Sequence, residues 1–137
     1  MKKPTVLIVD DSKPIICLLK IILGKKYNVY TAYDGFEALN WLTQGNCPNI
    51  VISDLQMPNI NGGELITYLS NSSIYSTIPI LVLSGADDDL IQQFIGNNSN
   101  IAGVLTKPFD PKDLLDRINN LLLKNEKAPH NSPTLIP

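Results

Sequence analysis

The chain has 137 residues, with 11 Lys+Arg against 13 Asp+Glu and a formal net charge of −2. This length suits one domain with a sizeable core, and a composition 44% hydrophobic and 18% charged argues against disorder as its main state. The slightly acidic balance argues against a nucleic-acid surface, and no apolar run reaches the roughly 18–20 residues of a membrane span.

The start, MKKPTVLIVDD, lacks a signal-peptide pattern. Cys17 and Cys47 fit no zinc spacing and read as reduced thiols, so a cytoplasmic protein is expected. The single histidine, His130, lies in a Pro-rich tail. That placement disfavours Ser-His-Asp catalysis, histidine metal sites and a phosphohistidine within the folded part.

In chain order, short apolar runs alternate five times with amphipathic stretches. Residues 5–9 (TVLIV) predict a strand, and 13–23 a helix with Ser12 as N-cap and Pro14 in its first turn. On that helix Ile15, Leu18, Leu19 and Ile22 are expected to face the sheet, which would turn Ile16, Cys17 and Ile21 toward solvent. A strand over 27–32 precedes a helix over 34–44 with Ala38, Leu39 and Leu42 on one face and Phe36 and Trp41 as partly buried packing residues. A strand over 50–53 and a helix over 63–70 follow. A strand over 80–83 leads to a helix over 87–95, whose three aspartates suit the positive end of a helix dipole. The last pair is a strand over 103–106 and a helix over 110–123 with a Leu/Ile stripe. From Asn125 the amphipathic period stops, giving a folded unit over 1–124 and a Pro-rich tail or linker over 125–137.

Continuous apolar strands such as VLIV and ILVL are those of a parallel sheet covered on both faces. Five βα units with short connections therefore predict an α/β fold, a doubly wound five-stranded parallel sheet in a single domain. In such sheets ligands bind outside the carboxyl ends of the strands.

The polar residues at those ends are Asp10 and Asp11 after the first strand, Asp54 after the third, Ser84 after the fourth, and Lys107 with Pro108 after the fifth. Taken singly, each could be a helix cap or a turn residue. Jointly they place three carboxylates, a hydroxyl and an ammonium on one sheet edge. Crowded carboxylates repel unless a cation sits among them, and oxygen-only ligands select a hard ion such as Mg²⁺. A divalent ion beside a lysine and a hydroxyl suits a phosphoryl group. A carboxylate can itself accept that group, and Asp54, alone on the middle strand, is the best candidate.

The segments VDDS, SDLQMPNINGGEL, LSGADD and LTKPFD together resemble the receiver domain of two-component response regulators, over about residues 4–124. The resemblance implies a flavodoxin-like (βα)5 fold that accepts a phosphoryl group from a histidine kinase or histidine phosphotransfer protein. It implies Asp54 as phosphoacceptor. Asp11, Asp54 and the backbone carbonyl of Gln56 would be ligands to Mg²⁺ (or Mn²⁺), with Asp10 supporting the ion through water. Ser84 and Lys107 would bind the phosphoryl group, and the Lys107–Pro108 peptide would be cis. Such a module turns over no external metabolite and is not an enzyme in that sense. It would switch the surface of the fourth helix, fifth strand and fifth helix toward a downstream target protein or fused output domain.

Two positions depart from the family pattern. Val104 stands where an aromatic switch residue is usual, and Asn100 where glycine is more frequent. The same resemblance, with the apolar residues expected on the outer face of the first helix, makes Ile16, Cys17, Ile21 and Phe109 a candidate docking patch for the phosphodonor. Rival readings are a phosphatase of the haloacid-dehalogenase type, a flavin-binding flavodoxin-like domain, and a pseudo-receiver used only for protein contacts. The first needs a DxD nucleophile motif after strand one, where this chain reads Asp10-Asp11-Ser12. The second needs a Ser/Thr-rich phosphate loop there, and two aspartates would repel its phosphate. The third has no need of the complete acidic, hydroxyl and lysine set.

Overall fold

A computed structural model describes residues 3–55, 62–85, 96, 98 and 100–127. The elements run β1 (Thr5–Val9), α1 (Lys13–Leu23), β2 (Asn28–Ala32), α2 (Gly35–Leu42), β3 (Ile50–Asp54), α3 (Gly62–Asn71), β4 (Ile80–Ser84), β5 (Ile101–Thr106) and α4 (Pro111–Lys127). The predicted helix over 87–95 lies outside the described residues, so α4 is the helix expected over 110–123. It runs on to Lys127, past the point where the apolar stripe ends.

All strands are parallel, in the order β2-β1-β3-β4-β5. The chain moves from β1 outward to β2, then returns to the other side of β1 for β3. The switch point therefore lies between β1 and β3.

Successive strand residues alternate between two cores. Leu7, Val9, Val51 and Val82 pack with Ala38, Leu42, Leu65 and Leu69 beneath α2 and α3. Val6, Ile8, Ile50, Ile52, Leu81 and Leu83 pack with Ile16, Leu19, Leu23, Leu114 and Ile118 beneath α1 and α4. Both faces of the central strands are thus dry, which is why their sequences read as unbroken apolar runs. Each such aliphatic side chain stabilises the fold by about 1.5–3 kcal/mol when fully buried.

The first two helices start at side-chain caps, Ser12 as expected and Asp34, which is expected as the first residue of its helix, one position outside it. Ser12 Oγ accepts from the N–H of Ile15. Asp34 Oδ1 accepts from the N–H of Glu37, whose carboxylate in turn accepts from the N–H of Tyr33. This reciprocal arrangement closes the first turn of α2 in the manner of a capping box. Gly45, at φ 98°, makes the left-handed turn that ends the α2 segment, a conformation that side chains with a Cβ rarely adopt.

The phase of α1 differs from the one expected. Its buried stripe is Ile16, Leu19 and Leu23, with Ile16 only 2% exposed, whereas Leu18 is 41% exposed. With seven apolar residues among positions 15–23, periodicity alone does not define the inner face; docking on the sheet selects it. Phe36 also differs, being 62% exposed, while Trp41 is half-buried and meets the ring of Tyr30 with centroids 4.9 Å apart.

Asn100 is buried at the entrance to β5. It accepts a hydrogen bond from Ser70 on α3, and its main-chain carbonyl accepts from Ile80. Among the described residues its buried Nδ2 has no hydrogen-bond partner.

Candidate functional site

The register of the central strands builds the site. Val9 lies opposite Ser53, so the next residues, Asp10 and Asp54, leave β1 and β3 side by side at the switch point. Asp10 is fully buried and stays in the ladder through its N–H to the carbonyl of Ala32. Asp11, one residue on, is exposed, and Asp54 is nearly buried. A carboxylate oxygen from each of the three lies within 4.8 Å of the others.

Lys107 comes from the far edge. Its N–H bonds the carbonyl of Ser84, which holds the end of β5 against the end of β4. Two strand spacings, about 9–10 Å, separate β5 from β3. A long side chain bridges that gap: Lys107 Nζ lies 2.9 Å from Asp10 Oδ2 and 3.3 Å from Asp54 Oδ2. Burial by itself pulls the ammonium toward deprotonation. The hydrogen bond and charge of Asp10, followed by the charge and hydrogen bond of Asp54, outweigh it and raise the lysine above its ordinary value. Lys107 is therefore a permanent cation at neutral pH.

The other oxygen of Asp10 accepts from the N–H of Ser12 at 2.8 Å. Both Asp10 oxygens thus have protein partners, as a buried carboxylate requires. Ser84 is buried at the end of β4, and its bridge partner on β5 is Thr106. The Lys107–Pro108 peptide is cis, as expected.

Val104 is half-buried against the core beneath α2 and α3, so this position carries a short aliphatic packing residue rather than a ring. Its carbonyl accepts a hydrogen bond from Arg117 on α4. Gln56 lies outside the described residues. The docking patch needs correction: Ile16 belongs to the core beneath α1 and cannot contact a partner. Phe109 is half-buried against the same core, whereas Cys17 is exposed and Ile21 is 71% exposed.

The sequence reading missed Ser53. This fully buried residue of β3 donates from Oγ to the carbonyl of Asp54 at 2.9 Å. One signal was available, a polar residue that ends the apolar run Ile50–Ile52 one position before Asp54.

The donor set fits a hard divalent ion. It is oxygen-only, it converges from two adjacent strands, and one member is buried, so the negative charge is focused at the rim. Fold and site together define a doubly wound α/β domain with a carboxylate and ammonium cluster at its switch point.

The comparisons with known proteins agree with that class. A sequence model of the response regulator receiver domain matches residues 6–119. Protein PilG of Pseudomonas aeruginosa is 34% identical over 114 residues, 82% of this chain and 83% of PilG. A part of Histidine kinase P4 from Formosa agariphila is 35% identical over 98% of this chain, which spans only 10% of that kinase's length. The solved structure of the chemotaxis response regulator CheY4 of Vibrio cholerae superposes with a TM-score of 0.78 at 34% identity, covering 88% of this chain and 99% of CheY4. The chain belongs to the response regulator receiver domain family. Among its described residues no helix is long and apolar enough to cross a membrane.

Proposed function

We propose that this chain is a phosphoacceptor in a two-component phosphorelay, with Asp54 receiving the phosphoryl group from a histidine kinase or histidine phosphotransfer protein in the cytoplasm. The observation that carries this reading is Asp54 at the switch point, within 4.8 Å of two further carboxylates and 3.3 Å from the Lys107 ammonium. An oxygen of Asp54 attacks phosphorus, the P–N bond to the donor imidazole breaks, and the imidazole leaves with its electron pair. The product on this chain is an acyl phosphate, which water later hydrolyses to carboxylate and phosphate.

Asp11, Asp54 and the Gln56 carbonyl would hold Mg²⁺ or Mn²⁺. Asp10, whose oxygens already accept from Ser12 and Lys107, would support the ion through water. When bound, the ion neutralises oxygens of the transferring phosphoryl group. Lys107 turns from Asp54 toward the new phosphate, and the Ser84 hydroxyl donates to one of its oxygens.

The added charge, about −1.5 to −2, biases the surface of residues 87–95, β5 and α4 toward a target protein or fused output domain. With Val104 in the core, that change passes through strand displacement rather than a swinging ring. The receiver unit would run to the end of α4 at Lys127, three residues past the boundary expected at 124, and be followed by a tail or linker. The module catalyses only its own phosphorylation and dephosphorylation.

The test is intact-protein mass after incubation with acetyl phosphate, with and without Mg²⁺, on wild type and Asp54→Asn. A single phosphate adduct that needs both Mg²⁺ and Asp54 is expected. An adduct that persists in Asp54→Asn would overturn the assignment. For the outer face of α1, Cys17 and Ile21 remain as docking residues. Ile21→Lys should slow transfer from the cognate kinase relative to transfer from acetyl phosphate, and an unchanged ratio would remove α1 from the interface.

A further inference from the structure

We propose that Ser53 is a positioning residue for the acceptor, its hydroxyl fixing the main chain of Asp54 so that the carboxylate and the chain beyond it are aimed at the cation and phosphoryl group. The inference rests on the receiver reading above and extends it to a residue outside the carboxylate, hydroxyl and lysine set.

Ser53 is 0% exposed, and the register places it between Val9 on β1 and Val82 on β4. Both neighbours belong to the dry core beneath α2 and α3, as does Val51 two residues earlier on the same strand. A β-branched aliphatic side chain would suit such a site on packing grounds. A hydroxyl there is costly unless it is hydrogen-bonded. It is bonded, and its acceptor is informative: the carbonyl of Asp54, at 2.9 Å.

Asp54 is the last residue of β3, followed at once by a bend at Leu55. Ser53 draws the Asp54 carbonyl toward the α2 and α3 face. That sets the plane of the peptide linking Asp54 to Leu55, and hence the direction in which the chain leaves the sheet. The bond from Ser53 to the carbonyl of Asp54 also constrains φ of Asp54, and rotation about that N–Cα bond moves its side chain relative to Asp10 and Lys107. Without the hydroxyl, the peptide plane would lose one of its restraints. The acceptor would then spend less time in line with an incoming phosphoryl group.

Three variants test this in the full chain: Ser53→Ala, Ser53→Val and Ser53→Thr, the last keeping the hydroxyl. For each, the urea midpoint, the calorimetric Mg²⁺ Kd without phosphodonor, and the rate of adduct formation from acetyl phosphate at saturating Mg²⁺ are measured. Ser53→Ala and Ser53→Val should weaken Mg²⁺ binding and slow phosphorylation, each by about threefold to tenfold, the range of one lost hydrogen bond. Ser53→Thr should stay within about twofold of wild type on both. If Ala and Val lower the urea midpoint but leave Mg²⁺ affinity and rate unchanged, Ser53 is structural only and the proposal fails. It also fails if Thr is as impaired as Ala. An absent adduct in wild type would sink the receiver reading instead, and the Mg²⁺ titrations would still decide whether Ser53 positions the acidic site.

Discussion

The bodies of β1 and β3 and the first polar residues at their carboxyl ends are both buried, yet they differ in what burial does. Val9 and Asp10 are adjacent and both inaccessible to water. Val9 is stabilised by the dry core, whereas Asp10 is tolerable only because the Ser12 N–H and the Lys107 ammonium satisfy it. The body of β3 likewise passes from Ile50, Val51 and Ile52 to the equally buried Ser53 and the nearly buried Asp54. Stability is stored in the middle of the sheet, and chemistry is confined to one rim where charge is held at some cost to stability. Separating the two regions lets the rim carry repelling carboxylates without unfolding the domain.

The largest effect that would sharpen this contrast is Ile52→Ala. Loss of a fully buried aliphatic side chain should lower unfolding free energy by about 2–5 kcal/mol, read from urea denaturation, while Mg²⁺ affinity of the folded protein stays as in wild type. A changed Mg²⁺ Kd would show that body and rim are not separable.

Lys107→Ala is the converse. It leaves buried Asp10 without its counter-charge and should cost about 3 kcal/mol, the low end for such a loss, because the site lies at the sheet rim. Added Mg²⁺ should then raise the melting temperature more in Lys107→Ala than in wild type, since the ion replaces the missing positive charge. Equal Mg²⁺ shifts in the two proteins would contradict that substitution of one cation for another.

Alkaline pH acts on both regions at once. Lys107 is raised at the rim, where burial is outweighed by Asp10 and Asp54, and Tyr27 and Tyr75, one in each core, are raised chiefly by burial. A group with a raised folded value contributes stability that is fully present below its unfolded value and is lost as pH rises through the folded one. Unfolding free energy should hold its contribution from these groups up to about pH 9 and fall above about pH 10. The smallest effect belongs to the β2 edge. Tyr30→Ala removes the ring contact with Trp41 and should cost about 0.5–1.5 kcal/mol, with no effect on adduct formation.

Much of this was legible before folding. All five strands and the described helices fall where apolar runs and caps placed them, within a few residues at their ends. The acidic, hydroxyl and lysine residues were identifiable because chemistry at a strand end interrupts an apolar run with charge. The face of α1 was not legible, since Ile15, Ile16, Leu18, Leu19, Ile21, Ile22 and Leu23 leave Lys20 as the one charged residue of the stretch, too little to set the phase. Ile16 therefore looked like a docking residue and is core. Phe36 looked like packing and stands in solvent, because the buried side of α2 is Gly35, Ala38 and Leu42.

What the sequence by itself determined is the order of elements and the kind of atoms brought to one rim: local propensity and period are properties of neighbouring residues. What only the tertiary structure decided is distance. The register of β1 on β3 sets Asp10 beside Asp54, and the reach of Lys107 across β4 turns a distant residue into their counter-ion. Those relations depend on non-local strand pairing and on which helix face meets the sheet, and neither is encoded in any short stretch of chain.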